Sequence, residues 1–147
     1  MKTDTILIAS DHAGFKMKEQ VKEYLNAKFD FQIIDLGTND AKTSVDYPDF
    51  AHSLAKKIDD KTYGILICGT GIGISIAANR HEGVRAALCH NVDTAILARE
   101  HNDANVIAFG ARVVDFDLVK EMLKAFFTTQ FAGGRHENRV KKIETKG

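Results

Sequence analysis

Short, mainly apolar runs alternate along this chain with stretches whose apolar residues recur every three or four positions. Such runs, bounded by turn-forming residues, are typical of buried strands. From them we predict five strands, at residues 6–9, 31–36, 64–68, 84–89 and 105–109. Three of these runs are followed directly by a glycine, which indicates a tight turn at the end of the strand.

The stretches between the predicted strands have the spacing of amphipathic helices. The strongest pattern places apolar residues at i, i+3, i+4, i+7 and i+8, namely Val119, Met122, Leu123, Phe126 and Phe127. In the first helix, Lys18 and Lys22 fall largely opposite the apolar stripe, so we expect them to face solvent. Pro48 predicts a helix start because proline is favoured at the first helical position, and Asn91 is expected to cap the helix that follows it.

The alternation of apolar strands with amphipathic helices predicts parallel β-α-β units whose sheet is covered on both faces. The expected fold class is therefore α/β, a three-layer α-β-α sandwich around a five-stranded parallel sheet of Rossmann-like or flavodoxin-like type. Residues 1–147 are expected to form one domain, because the length is typical of a single domain. The sequence also contains no internal repeat and no proline-rich linker.

Charge and cysteine content limit the partners and the cellular compartment that we expect for the protein. Twenty basic and twenty acidic residues cancel, which gives no support to a nucleic-acid or membrane partner. The uncharged stretch from Thr62 to Asn79 contains four glycines, so we interpret it as a strand, a turn and a helix rather than a membrane span. The first five residues lack the apolar stretch of a signal peptide, and two cysteines form no disulfide framework. A cytoplasmic protein is expected.

The segment from Cys68 to Gly73 is the most informative candidate site. It follows the third predicted strand, and ligands bind parallel sheets at the carboxyl ends of the strands. Its glycines allow backbone N–H groups to approach a ligand, and the following helix begins with unpaired N–H donors that favour anions. The same environment favours a thiolate at Cys68. The alternative is that Cys68 is a buried residue that ends a strand above an ordinary glycine turn.

Two familiar glycine motifs do not fit this segment. A phosphate-binding loop of the Walker type ends in Gly-Lys-Ser/Thr, whereas Gly73 is followed by Ile74 and Ser75. A dinucleotide fingerprint has the form G-x-G-x-x-G after the first strand. Here the spacing is G-x-G-x-G, and the segment follows the third strand.

Other polar residues could take part in the same site. Asp11 and His12 follow the first strand and could bind hydroxyl groups, although Asp11 could instead cap the next helix. His101 ends the fourth predicted helix, where a histidine can also be merely a favourable partner of the helix dipole. Arg135 and Arg139 are four residues apart and would share one helix face. Paired arginines suit a phosphate, but a solvated terminal helix would have the same pattern.

Metal binding is not expected. The sequence contains no Cys-x-x-Cys, no His-Glu-x-x-His and no acidic calcium loop. His52, His81 and Cys89 have no chemical companions near them in the sequence, so we expect them to be structural or solvated.

Taken together, these segments resemble the type B ribose-5-phosphate isomerases, a family that also includes the subunits of galactose-6-phosphate isomerase. The resemblance spans nearly the whole chain, in order. It rests on Ser10-Asp11-His12-Ala13-Gly14-Phe15, Asp46-Tyr47-Pro48, the run from Ile67 to Asn79, His101-Asn102-Asp103-Ala104-Asn105-Val106, Phe109-Gly110-Ala111-Arg112, and Gly133-Gly134-Arg135-His136 with Arg139.

The resemblance implies that D-ribose 5-phosphate and D-ribulose 5-phosphate are interconverted through an enediolate, a reaction of the pentose phosphate pathway, with no cofactor or metal. Cys68 corresponds to the base, Thr70 to the hydroxyl beside it, and His101 to the group that opens the furanose ring. Some relatives use a glutamate further along the loop instead of the cysteine. Ile74 occupies that position here, so Cys68 is expected to be the base.

The resemblance also implies the substrate contacts and the assembly. The backbone N–H groups expected to form the anion hole belong to Gly69, Gly71, Ile72, Gly73 and Ile74. The residues expected to contact the sugar are Asp11, Tyr47 and Asn102, and those expected to contact the phosphate are His12, Arg112, Arg135 and Arg139. Members of the family form homodimers or dimers of dimers in which both subunits complete each site.

Three alternatives remain open at this point. The first is an isomerase for a six-carbon sugar phosphate, such as galactose or allose 6-phosphate, because the depth of the pocket cannot be derived from the sequence. The second is a non-catalytic phosphosugar-binding module, which would not need a reactive thiol. A dinucleotide-dependent oxidoreductase is a distant third.

Overall fold

The computed structural model describes residues 4–145 of the chain, so Met1–Thr3 of the N-terminal segment considered above lie outside the described residues. The strands are β1 (Thr5–Ser10), β2 (Gln32–Asp35), β3 (Thr62–Cys68), β4 (Ala86–Leu88) and β5 (Val106–Gly110). The helices are α1 (Phe15–Lys28), α2 (Tyr47–Ala55), α3 (Ile72–Ala78), α4 (Val92–Asn102), α5 (Phe116–Thr128) and α6 (Arg135–Lys141).

The five strands form one parallel sheet in the order β2-β1-β3-β5-β4. Strand β3 lies at the centre, and all seven of its residues are buried, as expected for a strand covered on both faces. The predicted α/β fold class is thus confirmed. The fourth strand is shorter than predicted, because only Ala86–Leu88 pair with β5.

Two apolar clusters cover the two faces of the sheet. On one face, α1, α4 and α5 pack against alternate strand residues such as Ile65 and Phe109. On the other face, α2 and α3 pack against Leu66, Cys68 and Ala108. Since side chains alternate between the faces of a strand, the side chain of Cys68 belongs to the layer that contains α3. This is the predicted three-layer arrangement.

Helix starts agree in part with the predictions. Asn91 caps α4, and its side chain accepts a hydrogen bond of 2.8 Å from the backbone N–H of Thr94. Pro48 is the second residue of α2 rather than the first, because the helix already begins at Tyr47 after Asp46.

The prediction that Lys18 faces solvent is wrong. Lys18 is fully buried, and its Nζ donates a hydrogen bond of 2.6 Å to Asp35 at the end of β2. A buried ammonium group is tolerated only when it is paired, and helical periodicity alone does not show a partner on another element. Burial raises the pKa of Asp35, but hydrogen bonds from Lys18 and Lys22 outweigh it and lower the pKa overall. The pair joins α1 to the edge of the sheet.

The parallel topology gives the sheet two distinct edges. The carboxyl edge is where all strands end, and the helices after β1, β3, β4 and β5 start beyond it. The amino edge is where all strands begin. Helix α4 starts just after β4 and ends shortly before β5, so its last residues, His101 and Asn102, lie at the amino edge. None of the helices within residues 4–145 is both long enough and apolar enough to cross a membrane.

Candidate active site

Cys68 is the last residue of the central strand, at the carboxyl edge. Its side chain is 4% exposed, and its Sγ accepts a hydrogen bond of 3.1 Å from the backbone N–H of Gly71. Gly71 has a φ of +81° and precedes α3, a conformation that favours glycine. The sequence therefore folds the glycine loop back so that a main-chain donor points at the sulfur.

The backbone after β5 holds the loop from its other side. The N–H of Ala111 donates to the carbonyl of Cys68 at 2.9 Å, and that of Arg112 donates to the carbonyl of Gly69 at 3.0 Å. A Cβ atom at Gly69 would lie 2.8 Å from Nη1 of Arg112, so the guanidinium group lies directly over this residue. The Arg112 guanidinium group therefore lies over the residue that directly follows Cys68.

Tyr47 and Thr70 complete the surroundings of the glycine loop. A Cβ atom at Gly73 would lie 2.8 Å from the Tyr47 hydroxyl, so the phenol ring packs against the first turn of α3. Tyr47 is 39% exposed, so part of its side chain is accessible to a ligand that binds at this loop. The Thr70 hydroxyl accepts a hydrogen bond of 3.2 Å from the backbone N–H of Ile72, which orients it within the loop.

Asp11 and His12 lie at the same edge, after β1. The N–H of Asp11 donates to the carbonyl of Ile67 at 3.2 Å, beside Cys68. The alternative that Asp11 caps α1 is wrong, because Gly14 is the N-cap; Asp11 lies three residues before it, and its Oδ1 accepts from the Gly14 N–H at 3.1 Å. Nδ1 of His12 accepts a hydrogen bond of 3.1 Å from Val45, which holds the segment leading to Tyr47.

Six predicted site residues therefore meet at the carboxyl edge, and we call them the cysteine cluster. Its members are Asp11, His12, Tyr47, Cys68, Thr70 and Arg112. The burial of the sulfur agrees with the structural alternative for this cysteine. The guanidinium over Gly69 and the hydroxyl over Gly73 are donors of the kind that an anionic substrate requires, and they favour a functional interpretation.

A second group, which we call the histidine cluster, contains the remaining predicted side chains and one further residue, His136. Its predicted members are His101, Asn102, Arg135 and Arg139. The rings of His101 and His136 are stacked, with centroids 4.3 Å apart and planes inclined by 13°. Desolvation, His101 and the two arginines lower the pKa of His136, and Glu100 partly opposes them. His136 was not among the predicted site residues; only its place next to Arg135 could have indicated it.

The two clusters lie at opposite edges of the sheet in one chain. Helix α4 has 11 residues and spans about 16 Å at 1.5 Å per residue, roughly the length of the five-residue strand β5. His101 therefore cannot reach a substrate held at Cys68 of the same chain. The structure therefore brings the predicted side chains together in two separate clusters rather than in one site.

A cleft of about 500 Å³ at the amino edge adjoins the histidine cluster, and its lining includes Asn102, Arg80, His81, Arg85 and Ile143. His52 and His81 have no companions near them in the sequence, but the fold brings the two together. His52 Nδ1 and His81 Nε2 are 2.6 Å apart, because α2 and the end of α3 pack side by side. Desolvation, the neighbouring imidazole and Lys56 lower the pKa of His81.

Cys89 is 1% exposed, and burial raises the pKa of its thiol to about 11. This cysteine is therefore inert, as expected for a structural residue. Among residues 4–145, no three or more His, Cys, Asp or Glu side chains are placed to hold a metal ion.

Comparison with known proteins places this architecture in a family. The sequence model described as Ribose/Galactose Isomerase matches residues 6–143 of the chain. The chain belongs to the ribose/galactose isomerase family. The predicted resemblance is thereby confirmed, and with it the prediction that the protein is an isomerase.

Individual relatives in this family cover almost the entire chain. A protein of Rickettsia conorii, provisionally named a sugar phosphate isomerase, is 49% identical over 146 residues, or 98% of this chain and 100% of that protein. The structure of ribose 5-phosphate isomerase B from Anaplasma phagocytophilum has a TM-score of 0.93 at 46% identity, covering 98% of this chain and 99% of that one. The Mycoplasma genitalium enzyme with bound ribulose-5-phosphate has a TM-score of 0.92 at 43% identity, covering 97% and 95%.

Proposed function

We propose that this isomerase interconverts D-ribose 5-phosphate and D-ribulose 5-phosphate through an enediolate, with Cys68 as the base. The single observation that carries the proposal is the carboxyl-edge arrangement in which the Cys68 sulfur, the glycine-loop N–H groups and the Arg112 guanidinium adjoin. It is supported by relatives, because similar structures are named ribose 5-phosphate isomerase B and one of them holds ribulose-5-phosphate.

The proposed chemistry moves one proton between neighbouring carbons. The Cys68 thiolate removes the proton from C2 of the open-chain aldose, the electron pair forms the C1–C2 double bond, and negative charge develops on O1. The sulfur then returns the proton to C1 while the O2 proton passes to O1, which gives the ketose. A positioned base contributes about 10²–10⁴-fold to such a step.

The glycine loop would stabilise the charge that develops on the enediolate. Fixed N–H donors act strongly where water is excluded, and losing one can cost roughly 10²–10³-fold. The amides from Gly69 to Ile74 are the candidates for this role, with the Thr70 hydroxyl beside them. Asp11 and Tyr47 would bind sugar hydroxyls from the opposite side of the loop.

Binding of the phosphate would hold the reacting carbons in place. His12 and Arg112 lie in the cysteine cluster, whereas Arg135 and Arg139 lie in the histidine cluster. Arginine binds phosphate by bidentate charge-assisted hydrogen bonds, and binding energy from a non-reacting group can be used to position the reacting one. The phosphate would thus join the two clusters.

Complete sites therefore require two copies of the chain, with the cysteine cluster of one facing the histidine cluster of the other. An exposed apolar face beside the glycine loop supports this assembly. Ile72 and Ile76 lie one turn apart on α3 and are 51% and 57% exposed, and adjoining exposed apolar side chains can mark a protein–protein interface. We propose a homodimer, alone or as a pair of dimers.

A complementation experiment tests the shared site. Cys68→Ala and His101→Asn, each weakly active alone, are coexpressed with different affinity tags. In a random mixture half of the dimers are mixed, and each mixed dimer keeps one site with both residues intact, so about a quarter of wild-type activity should return. Purified mixed dimers with no recovered activity would show that the two clusters do not share a site.

A substrate panel tests the proposed reaction itself. We expect kcat/KM for ribose 5-phosphate to exceed the values for allose 6-phosphate and galactose 6-phosphate. The matching family also includes galactose isomerases, so a six-carbon substrate is the second candidate. In the galactose-6-phosphate pair the functional residues are divided between two different subunits, whereas this chain carries both clusters. Higher kcat/KM on a six-carbon substrate would replace the proposed function with that alternative.

A further inference from the structure

His136 lies in a defined position relative to the residue proposed to open the sugar ring. It is the second residue of α6, and its imidazole is nearly parallel to that of His101, with centroids 4.3 Å apart. The backbone fixes this placement, because the N–H of Ala132 donates to the carbonyl of Glu100 at 3.0 Å and that of His136 donates to Gly133 at 3.1 Å. The stack is therefore anchored on both sides.

The charges around the stack keep it attractive. The groups that act on the His136 ring are His101 and Glu100 on α4 and Arg135 and Arg139 on α6. Desolvation lowers the pKa of His136, three of these four groups lower it further, and Glu100 opposes them. A neutral ring can lie flat on a neighbouring imidazole even while that imidazole takes up a proton, whereas two protonated rings would repel each other. His136 thus supplies a flat, uncharged surface.

Ring opening needs an imidazole in a fixed orientation. A group that takes a proton from one oxygen of the furanose and gives one to another must have its nitrogen directed at both, and small misplacements of catalytic groups cost activity. His101 is only half-buried at the end of a helix, so its own helix does not immobilise the ring. The stacked His136 ring removes that freedom.

We infer that His136 is a positioning residue that orients the His101 imidazole for opening of the furanose ring. This inference rests on the proposed function. His136 is not required to touch the substrate, and its contribution is confined to the step that His101 performs. Substrates that need no ring opening should therefore be insensitive to its replacement.

The test compares two substrates and two variants. Ribose 5-phosphate is mostly cyclic, whereas a four-carbon aldose 4-phosphate cannot close a furanose ring because its terminal hydroxyl is esterified. We expect His136→Ala to lower kcat on ribose 5-phosphate about 10-fold to 100-fold and to leave kcat on the four-carbon substrate nearly unchanged. His136→Phe, which keeps a flat uncharged ring, should restore most of the lost kcat.

Other roles of His136 would give different results. A phosphate contact would raise KM for both substrates and would not be restored by phenylalanine, and a purely structural role would lower both activities together with the melting temperature. Either result overturns the positioning role. If wild type isomerises no sugar phosphate on the panel, the proposed function fails first and this role fails with it.

A spectroscopic measurement tests the stack without any turnover. In wild type the His136 ring current should shift the carbon-bound ring protons of His101 in the NMR spectrum. His136→Ala should remove that shift and His136→Phe should retain one. Unchanged His101 resonances in the alanine variant would show that the rings are not stacked in solution and would overturn the inference.

Discussion

Replacing Cys68 by alanine is expected to lower kcat for ribose 5-phosphate by roughly 10²–10⁴-fold, the usual contribution of a positioned base. KM should change little, because Arg112, Tyr47 and the glycine-loop N–H groups remain in place. The side chain of Cys68 lies in an apolar cluster with Leu66 and Ile74, so a moderate loss of stability should accompany the loss of turnover. Steady-state kinetics and thermal unfolding measure the two effects separately.

Cys89→Ala provides a matched control for this experiment. Cys89 is also buried at the end of a strand, but its thiol has a pKa raised to about 11 and it lies on the other face of the sheet. We expect a similar decrease in melting temperature with turnover preserved. Near-wild-type turnover of Cys68→Ala would show that Cys68 is not the base. If both variants lost turnover, the loss in Cys68→Ala would be explained by disturbed packing rather than by removal of a base.

Replacing Gly110 by alanine is expected to displace the glycine loop and thereby to lower turnover. An added Cβ would collide with the Thr70 backbone, lying 2.6 Å from its carbonyl oxygen, and backbone atoms cannot rotate away. The hydrogen bonds from Ala111 to Cys68 and from Arg112 to Gly69 would be displaced with it. We expect a loss of about 1–3 kcal/mol in unfolding free energy, as for overpacked cores, and about 10²-fold in turnover.

Gly83→Ala separates the clash from the general effect of removing a glycine. No atom lies within 4 Å of a Cβ at this position, although its φ is +81°, so the substitution costs only backbone strain of about 1–2 kcal/mol. It should destabilise the protein while leaving turnover intact. Wild-type kinetics in Gly110→Ala would mean that the loop tolerates displacement, which contradicts its proposed role as a rigid anion hole.

Most of the fold could be predicted from local patterns. The apolar run at residues 64–68 is short and is followed by a glycine, as is typical of a buried strand, and it forms the last five residues of β3 (Thr62–Cys68). The spacing of Val119, Met122, Leu123 and Phe126 predicted the buried face of α5 (Phe116–Thr128). These predictions succeed because burial of a periodic apolar stripe is decided within one element.

The prediction for Lys18 failed because its environment is not local. Helical spacing placed the lysine on the polar face of α1, yet Asp35 lies 17 residues later in the chain and pairs with it at 2.6 Å. The same reason explains the pair formed by His52 and His81, which are 29 residues apart. In both pairs the partner lies far outside the helical turn in which the first residue stands, so the local sequence gives no indication of the contact.

The candidate site also has a part that local sequence position predicts and a part that depends on contacts between distant segments. Sequence position after β1, β3 and β5 was enough to gather Asp11, Cys68 and Arg112, because parallel strands all end at one edge. The same rule places His101 about one strand length away, because a helix that connects two parallel strands must return to the amino edge. The sequence pattern therefore contained this separation, although the residues were first considered as one site. The stacking of His101 on His136 depends further on how α6 returns to α4.

The sequence by itself therefore determined the alternating strands and helices, the glycine loop after the central strand and the family, since each depends on residue types at short, regular spacings. Only the tertiary structure decided that Lys18 is buried against Asp35 and that His136 covers His101. Contacts between distant segments depend on the direction and packing of whole elements, and no periodicity within a single segment records them.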